Sequence, residues 1–150
     1  MADIKLRSPA FDHQAEIPRR HAHHSDNVSP ALEWSGVPEG AAELLLLCED
    51  PDAAGGTFLH WLVTGIDPST TGVGENEIPQ GGREWLNDFR EVGWGGPQPP
   101  FGDRHHRYIF RVYALSRPVE LPRRPSADDV HEAIRDIVIA SGELVGLYER

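Results

Sequence analysis

Apolar residues in this chain recur at two spacings, and the change from one to the other outlines the fold. In NVSPALEWSGVPEGA, residues 27–41, Leu32 and Trp34 alternate with polar neighbours before a Val-Pro-Glu-Gly turn, which predicts a strand running into a turn. Residues 44–47 are leucine at four consecutive positions, bounded by turn signals and too short for a helix. That is the pattern of a central strand covered on both faces. After the turn cluster DPDAAGG (50–56), the run TFLHWLVTGI is aromatic and β-branched through Ile66, with His60 in its middle. The polar, glycine-rich stretch that follows, through Gly82, predicts loop, and REWLNDF (83–89) predicts one helical turn at most. A second strand-like run, HRYIFRVYAL, begins at His106.

Helical spacing appears late. Ser126 is placed to cap a helix with Asp129 as its capping-box partner, and Val130, Ala133, Ile134, Ile137 and Val138 follow at i, i+3, i+4, i+7 and i+8. Gly142 then predicts the helix end, and ELVGLY a short terminal strand. Many strands with one or two peripheral helices predict a mainly β domain, an antiparallel β-sandwich whose sheets share one core. No repeat, low-complexity tract or linker divides it, so residues 1–150 are expected to form a single domain. Glycine and proline, 15 and 13 of 150 residues, exceed the usual combined share of about 12% and favour short strands joined by many turns.

Charge and cysteine usage narrow the partners. With 24 acidic and 14 basic side chains the formal net charge is -10, which repels a phosphodiester backbone and argues against nucleic acid. A local anion site remains compatible with that sign, since pocket donors act over a few ångströms and surface charge is screened over about 8 Å. Cys48 is the only cysteine, so neither an internal disulfide nor a cysteine-built zinc site can form. It reads as a small core residue. The first residues are charged without an apolar leader core, and no run approaches the roughly 18 apolar residues that span a bilayer. The expectation is a cytoplasmic protein with no membrane span and no cofactor.

Candidate chemistry gathers where a rigid loop meets a strand. Tyr108, Phe110, Val112 and Ala114 share the apolar face of that strand, while Arg107, Ile109, Arg111 and Tyr113 share the other. Parity turns His106 inward with Tyr108 and His105 toward water. His60 also sits in an apolar strand, and Asp50 ends the leucine-rich one. A carboxylate that orients one imidazole, beside a second imidazole, forms a cluster suited to a small anion, with the two histidines as donors. The preceding loop, GWGGPQPPFG, supplies the wall: its glycines permit close approach and its prolines hold the path.

The order NVSPALEW, CEDPDA, FLHW, GWGGPQPPFGDRHHRYIFRVYAL and IASGELVGLY resembles the phosphatidylethanolamine-binding protein family in its bacterial, Raf kinase inhibitor-like branch, from about residue 12 to 149. The resemblance implies a β-sandwich with peripheral helices and a small pocket for phosphate-like anions and phospholipid headgroups. By motif it puts Asp50, His60, His106 and Tyr108 in that pocket, Pro99 and Pro100 as its proline pair and Gln98 on its rim. It also implies modulation of kinases or proteases for some members, and homodimers in bacteria. Three positions depart from the family pattern: Ala54 where a proline is usual, Trp94 in place of a tyrosine, and Gln98 where bacterial relatives often carry cysteine. The last two are expected to alter the rim.

Other readings compete. Residues 100–105, PFGDRH, imitate a cupin metal motif, and His21, His23 and His24 add imidazoles, but no glutamate follows His23 at the required spacing and parity buries His106 rather than His105. The RRHAHH run reads instead as a solvated segment. A serine hydrolase would need a nucleophile elbow, and no G-x-S-x-G is present. A partner-binding regulator with an incidental pocket is the remaining alternative. The expectation is a non-catalytic protein that binds a small anion, phosphate or a phosphorylated headgroup.

Overall fold

A computed structural model describes residues 2–150. In chain order its elements are β1 (Ala2–Asp3), β2 (Lys5–Arg7), β3 (Ala15–Glu16), a 3-10 turn (Arg19–His21), β4 (Leu32–Ser35), β5 (Glu43–Asp50), β6 (Phe58–Ile66), β7 (Gly72–Val73), β8 (Arg83–Glu84), β9 (His106–Leu115), α1 (Ala127–Ile134) and β10 (Val138–Tyr148). The larger sheet runs β1-β10-β9-β5-β6-β8, with β3 also on β10, and the smaller runs β2-β4-β7. Pairing is antiparallel except where β1 and β3 lie parallel to β10. The architecture is the mainly β sandwich that the patterning predicts.

Strand β5 shows why four leucines stand in a row. Leu44 and Leu46, with Cys48, enter the core between the two sheets, where they meet Trp34, Trp61 and Phe110. Leu45 and Leu47 point the other way, into a second cluster closed by Val130, Ile134 and Ile137. Both faces of β5 are thus covered, one by the small sheet and one by α1. Each fully buried leucine contributes about 1.5–3 kcal/mol relative to an exposed one. No described helix is long and apolar enough to cross a membrane.

The helix is shorter than its periodicity suggests. Ser126 accepts from the Asp129 backbone N–H at 3.1 Å, and the Asp129 side chain accepts from the Ser126 N–H at 3.0 Å, which is the expected capping box. The helix ends at Ile134 rather than near residue 141, and Val138–Tyr148 is one strand of eleven residues. Ile137 keeps its helix-like spacing because it packs in the same cluster from the connecting turn. Gly142 therefore ends no helix. It lies inside β10, paired with Val112, where an added Cβ would collide with the Ile4 carbonyl oxygen. REWLNDF forms no helical turn either: Arg83–Glu84 pairs with β6, and Leu86 bridges Val92.

Candidate functional site

The ends of β5, β6 and β9 and the loop before β9 enclose one cavity of about 250 Å³. All seven residues singled out in the sequence line it: Asp50, His60, Gln98, Pro99, Pro100, His106 and Tyr108. Ala53, Ala54 and Gly55 contribute from the β5–β6 turn, and Phe58 and Phe89 form an aromatic wall that the sequence patterns did not single out. Phe58 was within reach of period-two reasoning, being two residues before His60 on the same strand. Phe89 lies on an irregular loop and gave no such signal.

Backbone irregularity aims His60. Along β6, Trp61 and Val63 face the inter-sheet core and Leu62 the helix side, so simple alternation would send His60 out with Leu62. Register shifts at this point: Cys48 pairs with Trp61, and the next residue, Glu49, with Leu59. His60 is the extra residue of a β-bulge, which turns its ring into the cavity. There it packs edge-on to Tyr108 and Phe89, with centroids 5.1 and 5.6 Å away, and beside Phe58 at 4.8 Å. Its Nδ1 donates to the Gly95 carbonyl at 2.6 Å. Burial drives the pKa down to about 4, only partly offset by the Gly95 and Gly96 backbone. The ring is therefore neutral at pH 7 and offers Nε2 as an acceptor. This differs from the donor role expected of His60, because the donor nitrogen is spent on the loop backbone.

His106 is the charged member. Parity holds along β9: His106 and Tyr108 are buried and Arg107 is exposed, while His105 sits outside near Glu149. The His106 Nδ1 faces Asp50 Oδ2 at 2.6 Å, and Nε2 faces Asp103 Oδ2 at 3.0 Å. A ring bounded by carboxylates at both nitrogens holds two protons. Burial opposes the charge, but hydrogen bonds to Asp50 and Asp103 outweigh it and raise the pKa above the usual histidine value. Asp50 is 3% exposed, and burial raises its carboxyl above the ordinary range despite the His106 contact. Its Oδ1 accepts from the Asp52 N–H at 2.7 Å, which fixes the turn that starts there. Asp52 in turn binds the Arg107 guanidinium at 3.0 and 2.8 Å and is held below the usual carboxylate range by it.

Two further groups face the cavity. Burial pushes the Tyr108 hydroxyl far up, so it stays protonated and available as a donor. Gln98 turns its Oε1 to His23 Nδ1 at 3.1 Å, which leaves its NH2 group for the rim. Trp94, expected on the rim, instead packs half-buried against the core, stacked on Phe110 and edge-on to Trp61. The indole N–H donates to the His21 carbonyl at 3.1 Å, so Trp94 ties the loop to the 3-10 turn rather than altering the mouth.

The RRHAHH run is not a solvated segment. His21 is 1% exposed with Nδ1 on the Val28 carbonyl, and His24 Nε2 meets the Tyr148 hydroxyl at 2.8 Å. His23 stacks on Phe89, with centroids 4.1 Å apart, and bridges Gln98 and Glu91. The three rings diverge to separate partners. Among the described residues no three His, Cys, Asp or Glu side chains are grouped to hold a metal ion.

The sequence profile described as phosphatidylethanolamine-binding protein matches residues 7–149. A UPF0098 protein of Methanothermobacter thermautotrophicus is 40% identical, over 98% of this chain and 99% of its own. YbcL of Escherichia coli, a solved structure described as a new member of the mammalian PEBP family, superposes with a TM-score of 0.90 at 30% identity, covering 98% of each chain. A Mycobacterium tuberculosis relative named as a candidate lipoprotein, LppC, is 38% identical over 97% of this chain and 72% of its own. That name belongs to the relative alone, but it is at odds with a cytoplasmic location for every protein of this kind.

Proposed function

The chain belongs to the phosphatidylethanolamine-binding protein family, and from that premise we propose that its cavity binds a small phosphoryl oxyanion, free or as a lipid headgroup, without catalysis. The observation that carries this reading is the Asp50–His106 pair, 2.6 Å apart at the wall of an open cavity of about 250 Å³. Asp50 supports the positive charge on His106 from the buried side, and the cavity side meets the ligand. Tyr108 and the Gln98 amide supply neutral donors. The His60 lone pair accepts from a protonated phosphoryl oxygen or from an ammonium group carried with it. The aromatic wall excludes water and strengthens those contacts. The lining carboxylate of Asp50 is engaged by His106 and the Asp52 N–H, which favours binding over nucleophilic chemistry.

Calorimetric titration with inorganic phosphate and with phosphoethanolamine tests the reading, and flotation with phosphatidylethanolamine vesicles separates a free ligand from a lipid one. His106→Ala removes a charge-assisted hydrogen bond of about 1.5–3 kcal/mol, so affinity should fall by about ten-fold or more. Tyr108→Phe should cost a few-fold. Unchanged affinity in both variants would sink the proposal. Binding should weaken as pH rises through the raised His106 pKa, since the donor charge is lost there.

A further inference from the structure

Among the described residues the one cation that the cavity offers is already engaged. No described lysine or arginine lines it, and the nearby Arg107 guanidinium is held by Asp52. That leaves His106, whose Nδ1 faces Asp50 and whose Nε2 faces Asp103 at 3.0 Å. The two carboxylates differ in kind. Asp50 is buried and fixed by the Asp52 backbone, whereas the Asp103 side chain is 47% exposed. It stands on a turn closed by its own N–H to the Pro100 carbonyl at 3.3 Å, where Gly102 takes a left-handed φ of 87°. Among the described residues no second hydrogen bond holds the Asp103 carboxylate, so it can swing to solvent by side-chain rotation.

We infer that Asp103 is an internal competitor at the oxyanion site: its carboxylate occupies His106 Nε2 in the ligand's place and thereby selects which anions enter. The inference rests on the phosphoryl reading above. A carboxylate tethered three residues away acts at an effective concentration of about millimolar or more. A simple monocarboxylate that arrives from solution trades one such contact for an equivalent one and gains nothing. A phosphoryl group places one oxygen on His106 Nε2 and further oxygens toward Tyr108 and the Gln98 amide, contacts that Asp103 does not make. Asp103 therefore acts as a filter, letting polydentate oxyanions through and keeping monodentate ones out. It touches the ligand's subsite without taking part in any reaction.

Calorimetry at about pH 6, where His106 is charged, separates the alternatives with phosphate and acetate as probes against wild type, Asp103→Ala and Asp103→Asn. Wild type should bind phosphate and show no measurable acetate binding. Both variants should bind phosphate about ten-fold tighter, and acetate binding should become measurable, which narrows the preference. The substitutions lie on an exposed turn, and thermal melts of the three proteins verify that they fold alike. Phosphate binding that is equal or weaker in the variants than in wild type overturns the inference and leaves the phosphoryl reading standing. If none of the three proteins binds phosphate, the phosphoryl reading fails and the inference falls with it.

Discussion

Acidification should destabilise this protein through His60 by an amount that the structure fixes. The ring is 3% exposed, and its pKa in the fold is about 4, against about 6.5 in an unfolded chain. As pH falls below about 6.5 the unfolded state takes up a proton that the folded state refuses. The contribution is therefore fully present above about 6.5, lost progressively between 6.5 and 4, and flat below. A gap of about 2.5 units at about 1.36 kcal/mol each gives about 3 kcal/mol in total, of which about 2 kcal/mol is gone by pH 5. For a chain of this size that corresponds to a fall of about 4–8 °C in Tm.

Other groups titrate in the same window, so the measurement needs a reference that shares them. His60→Asn supplies it: the asparagine Nδ2 stands near the position of the ring Nδ1, retains the donation to Gly95, and does not titrate. Urea unfolding at pH 7 and pH 5, followed by tryptophan fluorescence, gives the loss for each protein. The wild-type loss should exceed that of His60→Asn by about 2 kcal/mol. Equal losses, within about 0.5 kcal/mol, would mean that His60 titrates normally in the fold and would refute its assignment as a neutral acceptor.

Two shorter tests address the frame around the cavity. Ser126→Ala removes one half of the capping box on α1 and should lower stability by about 1 kcal/mol in chemical denaturation, with phosphate affinity unchanged. His23→Ala removes the ring that braces both Gln98 and Phe89; phosphate affinity should fall a few-fold in calorimetry while Tm moves by no more than about 2 °C, and a large drop in Tm with unchanged affinity would make His23 a purely structural residue.

Legibility in the sequence followed how local each cause was. The leucine run of β5 and the parity of β9 were readable because each depends on an alternation that the strand itself imposes. Asp50, His60 and His106 were singled out by strand position and parity, and the family resemblance added the rim at Gln98. The orientation of His60 was not, since it depends on a bulge that inserts one residue against Glu49, a pairing between distant segments. The end of α1 was misplaced for a similar reason. Ile137 and Val138 continue the helical period, but β-branched residues opposite β9 gain a ladder of hydrogen bonds that extends through Tyr148, and tertiary pairing overrides local period. The three histidines near residue 22 gave no sign of their contacts because their partners lie at Val28, Gln98 and Tyr148. Asp103 was visible three residues before His106, yet nothing local distinguishes a carboxylate facing an imidazole from one facing water.

Glu49 and Asp50 are adjacent and similarly hidden, 4% and 3% exposed, yet their pKa values move in opposite directions. Burial pushes Glu49 up, but hydrogen bonds and charge from His131 and Arg111 outweigh it, and the net shift is downward. Those partners tie α1 and β9 together on the closed face of the sheet. Asp50 has one cationic partner, His106, and the Asp52 N–H, and burial outweighs both, so its pKa rises. A carboxylate whose role is structural collects enough cations to be fully compensated, as Glu49 does. One that orients an imidazole for an incoming anion must leave the positive charge available on the cavity side. The imbalance at Asp50, next to a balanced twin on the opposite face, is what the oxyanion reading requires of the strand end. Asp103, on its exposed turn, is then a group whose removal should raise ligand affinity with little change to the fold.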